Sequence, residues 1–240
     1  MGAAPHSDRT EPVSVDDGTF DLHVWLPKAG RGPGLLLLQE IFGVGPYIVD
    51  VAHRLCDLGY VVGAPDLYWR VERNWTAEHT AEGMAAAMEM VAGGDLPQGI
   101  ADCVAALHVL ETIDAVDGPS GVIGFCLGGT LAWFVAAVSQ PAATVSYYGS
   151  GVAGGLTQLD NVHCPVLLHF GEADPFIPGT DVERITKAVR HHPGIEVHVQ
   201  PHAGHAFDNH HAPQFHHADA SAAAWDLTRQ FLARYLPVPV

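Results

Sequence analysis

Short apolar runs of strand length alternate with amphipathic stretches of helical period along most of this chain, and that alternation restricts the fold more than any other feature. Phe20-Asp-Leu-His-Val-Trp25 alternates apolar and polar residues with the period of a half-buried strand. Leu35-Leu-Leu-Leu38 is apolar throughout, as a strand covered on both faces must be. After Gly43-Val-Gly-Pro46, apolar residues recur at helical spacing over Ile48–Leu58 and stop at Gly59, and Tyr60–Ala64 reads as the next strand. Further strands are expected at Gly121–Phe125, Ala143–Tyr147, Val166–Phe170 and Ile195–Val199, with helices over Leu131–Val138, Val182–Val189 and Ser221–Tyr235. Strands joined through helices run parallel, so the chain predicts an α/β fold with a mostly parallel, doubly wound sheet flanked by helices.

Thr76–Ile113 departs from the alternation. Two helix-like stretches, broken by Gly93-Gly94-Asp95, follow one another without a strand between them and are expected to form part of a lid or rim. No repeat, low-complexity tract or long linker divides the chain, so a single domain over 1–240 is the economical expectation.

The function classes narrow on composition. With 48% hydrophobic and 16% charged residues, the chain has enough apolar side chains for a sizeable core. Its 27 acidic residues against 11 basic ones give a formal net charge of -16, a field that repels a phosphate backbone, so nucleic acid is not an expected partner. Met1–Thr10 is polar and unlike a signal peptide, and no apolar run reaches the roughly 20 residues that span a bilayer. Cys56, Cys103, Cys126 and Cys164 are widely spaced with no Cys-x-x-Cys pair, which suits a reducing cytoplasmic setting and neither a zinc site nor a redox dithiol. His202, His210, His211, His216 and His217 lie close in sequence but lack acidic or cysteine ligands at a recognised spacing, so no metal is expected. The expected partner is a small molecule, and the expected assembly a monomer or weak homo-oligomer.

Chemistry concentrates at Gly124-Phe-Cys-Leu-Gly-Gly129, between a buried strand and a helix. It has the Gly-x-nucleophile-x-Gly form of a nucleophile elbow, with cysteine where serine is usual. Glycines two before and two after Cys126 leave room for a sharp reversal, and the following helix points its positive end at the sulfur, favouring an exposed, partly ionised thiol. Asp174 follows a predicted strand, at the carboxyl end where ligand sites gather in open parallel sheets. The base should come last in chain order, after Ile195–Val199, where His202 and His205 are both available; small neighbours Gly204 and Ala206 favour His205.

Together with these residues, Gln39-Glu-Ile-Phe-Gly43, Ala64-Pro-Asp-Leu-Tyr68, Tyr147-Tyr-Gly149 and Ala203-Gly-His-Ala-Phe207 stand in the order seen in the dienelactone hydrolase family of the α/β-hydrolase fold, which the chain resembles over most of its length. The resemblance implies a carboxylic ester or lactone hydrolase of carboxymethylenebutenolidase type, working without a cofactor through a thioester on Cys126. It assigns His205 as base, Asp174 as its orienting carboxylate, and the backbone amides of Leu127 and Ile41 as oxyanion hole. It also gives Glu40 the task of helping generate the thiolate. A carboxylate just after four leucines risks desolvation, which raises its affinity for a proton.

Two family features are missing. The resemblance expects substrate-binding arginines in the helical region after Pro-Asp-Leu-Tyr and four positions beyond the histidine. No arginine occurs between Asn74 and Ile113, and Asn209 occupies the second place. Arg70, Arg73 and Trp69, just beyond Tyr68, are the remaining substrate-binding candidates, with Asn209 itself. The missing arginines also keep open a ligand-binding homologue without turnover, and Cys126 a thiol-based redox sensor.

Overall fold

Alternating sequence becomes alternating structure in a computed structural model, which describes residues 5–239. The polar start expected over Met1–Thr10 lies outside the described residues in its first four positions. Among the described residues there are eight strands: β1 (Arg9–Val15), β2 (Gly18–Trp25), β3 (Gly32–Leu38), β4 (Val61–Pro65), β5 (Val116–Phe125), β6 (Thr144–Tyr147), β7 (Val166–Gly171) and β8 (Ile195–Gln200). They form one sheet in the order β1-β2-β4-β3-β5-β6-β7-β8. β1 and β2 pair antiparallel, as do β2 and β4, whereas β3/β4, β5/β6, β6/β7 and β7/β8 are parallel. This is the mostly parallel, doubly wound sheet that the alternation predicts.

Among the described residues there are six α-helices: α1 (Pro46–Asp57), α2 (Ala81–Ala92), α3 (Leu96–Glu111), α4 (Leu127–Ser139), α5 (Gly179–Val189) and α6 (Ala218–Tyr235). By internal contacts the chain groups into two compact units, one reaching to Gly121 and taking in Val238, the other Val122–Pro237.

In the first unit, β3 is buried at all seven positions, as its unbroken apolar run requires. Helix α1 begins with Pro46 in its first turn, where no N–H is needed, and ends at Gly59, whose φ of 100° suits glycine alone. The Thr76–Ile113 segment is the two helices expected, with Thr80 and Asp95 as caps accepting from the Gly83 and Gln98 amides at 3.1 and 2.9 Å. It differs from a lid in one respect: α3 packs on β1, β3 and β4 through Cys103, Ala106, Leu107 and Leu110, so it is a sheet-covering crossover helix.

β1 has no counterpart among the expected strands. Its sequence, Arg-Thr-Glu-Pro-Val-Ser-Val, is mostly polar, and it is held by pairing with β2, Val13 facing Phe20. Charged residues and a proline suit a strand at a sheet edge.

In the second unit, α4 lies on β6, and α6 packs on β7 and β8. Two helices start earlier than their apolar pattern: α4 at Leu127, because Gly128 and Gly129 form its first turn, and α6 at Ala218, where the His217 ring accepts from the Ala220 amide at 3.3 Å. Fully buried Phe125, Tyr147 and Phe170 anchor this half of the core. Tyr147, Thr228 and His169 are linked below the sheet face, the Tyr147 hydroxyl 2.8 Å and His169 Nε2 3.1 Å from the Thr228 oxygen.

Candidate active site

Cys126 is held in a conformation that most residues avoid. It joins β5 to α4 with φ 54° and ψ -111°, and its amide donates to the Tyr147 carbonyl at 3.0 Å while its carbonyl accepts from the Thr130 amide at 3.1 Å. The neighbouring glycines are there by steric necessity. A Cβ on Gly124 would stand 2.0 Å from the Gly128 carbonyl oxygen, and one on Gly129 would stand 2.5 Å from the Tyr147 carbonyl oxygen. The elbow thus turns β5 straight into α4 and leaves Leu127 as the first helical residue, where amides have no partner within the helix.

His205 and Asp174 meet the sulfur from two other loops. Asp174 sits after β7 with a fully buried side chain; its Oδ1 accepts from the Phe176 amide at 2.8 Å, and its Oδ2 accepts from His205 Nδ1 at 2.8 Å. His205 Nε2 lies 3.1 Å from Cys126 Sγ. The loop after β8 needs left-handed residues on either side of the base, His202 at φ 60° and Ala206 at φ 54°, and is tied to the Asp174 loop by the Ala173 amide donating to the Ala203 carbonyl at 2.8 Å. The His202 amide instead donates to Glu172 at 2.8 Å and its side chain is well exposed, so of the two histidines only His205 reaches the sulfur.

Electrostatics at His205 are a contest. Burial pulls its pKa down, but hydrogen bonds to Asp174 and Cys126, with the charges behind them, outweigh that and hold it up at about 10. Tyr148 and Phe176 pack against the ring, each with its centroid 5.1 Å away, Phe176 edge-on. Neither aromatic is distinguished by pattern alone, although Tyr148 lies in the Tyr-Tyr-Gly motif.

Other expected site residues stand in the first unit. Glu40 is buried within the tight Gln39–Gly43 turn, where the Gly43 amide donates to the Glu40 carbonyl at 3.3 Å. Its Oε1 is 2.5 Å from His79 Nε2, and the His79 ring packs tilted against Phe42 with centroids 4.1 Å apart. Nothing in the sequence marks His79, 39 positions away, as the companion of Glu40. The Ile41 carbonyl accepts from the Tyr68 hydroxyl at 2.9 Å.

The polar candidates beyond Tyr68 are committed to structural partners. Arg70 pairs with Asp17 and with buried Asp102 and lies 4.1 Å over Trp69, while Trp69 donates to Asp102 at 3.0 Å and stacks on Phe20. Arg73 donates to the Thr19 carbonyl at 2.6 Å. Asn209 is buried and its Oδ1 accepts from the His211 amide at 3.0 Å, the geometry of an Asx turn.

Residues 20–236 match the dienelactone hydrolase family. A carboxymethylenebutenolidase from a Pseudomonas species is 36% identical over 95% of this chain and 97% of its own length, and one from Pseudomonas putida is 33% identical over 82% and 86%. Among solved structures, a dienelactone hydrolase from Anabaena variabilis shares the fold, with a TM-score of 0.71 at 20% identity over 95% of this chain and 97% of that one. On the span of the match and the identity to these relatives, the chain belongs to the dienelactone hydrolase family.

Proposed function

We propose that this hydrolase opens carboxylic esters or lactones through Cys126, forming a thioester that water then cleaves. The observation that carries the reading is the unbroken line from Asp174 Oδ2 through His205 to Cys126 Sγ, 2.8 and 3.1 Å per step, on a strained elbow. Membership of the family supports the ester or lactone class of substrate.

His205 Nε2, within hydrogen-bond reach of the sulfur, takes the thiol proton and leaves imidazolium beside a thiolate. The thiolate adds to the carbonyl carbon, and the new oxyanion is met by the Leu127 amide at the start of α4. The carbon–oxygen bond then breaks, and imidazolium gives its Nε2 proton to the departing oxygen. Neutral His205 next takes a proton from water, hydroxide adds to the thioester, and the thiolate leaves with the carboxylic acid released. Asp174 keeps the Nδ1 proton in place throughout, so that Nε2 faces the reacting atoms. The family resemblance adds the Ile41 amide as second oxyanion donor and Glu40 as proton acceptor for a resting thiol.

Replacing Cys126 with alanine tests the reading. Turnover of simple esters and lactones should vanish with the far-ultraviolet spectrum unchanged, and the unmodified protein mixed briefly with ester should carry the acyl mass on the Cys126 peptide. Full activity in the alanine variant would refute it.

A further inference from the structure

The proton that a departing alkoxide needs sits on His205 Nε2, so the leaving oxygen must come within hydrogen-bond reach of that ring. Beside the ring opens a pocket of about 280 Å³, lined by Pro175, Phe176 and Phe215 together with Gln214 and four histidines, His205 among them. We propose that this pocket holds the alcohol portion of the ester, and that the portion it fits is an uncharged aromatic ring. The inference rests on the hydrolase reading above and names the substrate class for that same site.

Size comes first. An apolar cavity on the order of 150 Å³ is enough for benzene, so one ring fits with room for its connecting methylene. Phe176 gives the second argument: it is 61% exposed while standing edge-on to His205 at 5.1 Å. A large aromatic left open at a reacting group offers stacking surface that a ring-bearing ligand would cover.

Charge gives the third. The pocket wall contains neither lysine nor arginine, and Glu172 lies 3.5 Å from the ring of His202, another lining residue, so the rim carries a carboxylate. Asn209, which stands where the family resemblance expects an arginine, is spent on its own turn. Beyond the His205 imidazolium, which must serve the leaving oxygen itself, a leaving group bearing a carboxylate would find no lysine or arginine to pair with and would approach a chain of net charge -16.

Benzyl acetate and methyl acetate share their acyl group and have alcohols of nearly equal acidity, so the ratio of their kcat/KM values reads the pocket and not the chemistry. The unmodified protein should favour benzyl acetate by roughly tenfold or more, and a carboxylate on the ring should remove most of that advantage. Phe176→Ala and Phe215→Ala should each bring the benzyl-to-methyl ratio down by about fivefold or more. Benzyl alcohol should also compete with methyl acetate in the unmodified protein, which reads the pocket without any substitution. A ratio near one, a ratio that both substitutions leave unmoved, or preference for the anionic ring overturns the pocket assignment while leaving the hydrolase standing. Failure to turn over either ester overturns the hydrolase reading and the pocket with it.

Discussion

Asp174→Asn removes one charge and one lone-pair acceptor from a side chain with no water to replace them. Both carboxylate oxygens are in use, Oδ1 by the Phe176 amide and Oδ2 by His205 Nδ1, and the side chain is fully buried. Asparagine has one acceptor for these two donors. If its amide nitrogen faces Phe176, two donors oppose each other in a buried site, at a cost of about 1–3 kcal/mol. If instead it faces His205, Nδ1 must accept and the ring proton moves to Nε2, where it blocks proton uptake from water. Loss of the correct tautomer lowers kcat by roughly a thousandfold to ten-thousandfold, or about 4–5.5 kcal/mol in the barrier. The base itself shifts: burial opposes its charge and the carboxylate is a main reason it stands near 10, so the variant should titrate far lower, towards or below an ordinary histidine. Steady-state kinetics alongside an NMR titration of the His205 ring would check both. A ring still titrating near 10, with kcat within about tenfold of the parent, would refute the account.

Three further outcomes are expected. Gly124→Ala puts a methyl 2.0 Å from the Gly128 carbonyl oxygen, so the elbow must shift, and ester hydrolysis should drop by about a hundredfold or more. His169 is kept neutral by burial, with neighbouring His198 adding to the effect, and its pKa falls to about 3. A depressed folded-state value means its contribution is present above the unfolded pKa near 6.5 and is lost as pH falls towards 3, at roughly 1.4 kcal/mol per pH unit, so His169→Gln should flatten the acid slope seen in urea unfolding. Arg70→Ala leaves buried Asp102 without its cation and should cost about 2–4 kcal/mol, read as a Tm lower by roughly 5–10 °C.

What could be read from the chain beforehand was what local sterics and periodicity decide. The elbow is legible because only glycine fits at 124 and 129 when a strand turns directly into a helix, and β3 is legible because its run of leucines leaves no polar side chain to face solvent on either side. β1 was not legible: its polar, proline-bearing sequence has no strand signature and owes its conformation to a partner strand. The role of Arg70 was hidden for the same reason. An arginine near a motif looks available to substrate until Asp17 and Asp102, 53 and 32 positions away, are found to hold it. His79 beside Glu40 is a third case, a pairing made by chain reversal and not by spacing.

The Asp17–Arg70–Asp102 cluster fastens three stretches of chain that are far apart in order: the turn between β1 and β2, the loop after β4, and the middle of α3. Such a fastening makes the first hairpin a cooperative part of its unit. Amides of β1, although on the sheet's rim, should exchange with deuterium only when α3 also loosens, and a protease that trims the hairpin would leave Arg70 with half its anchorage and α3 open to further cutting.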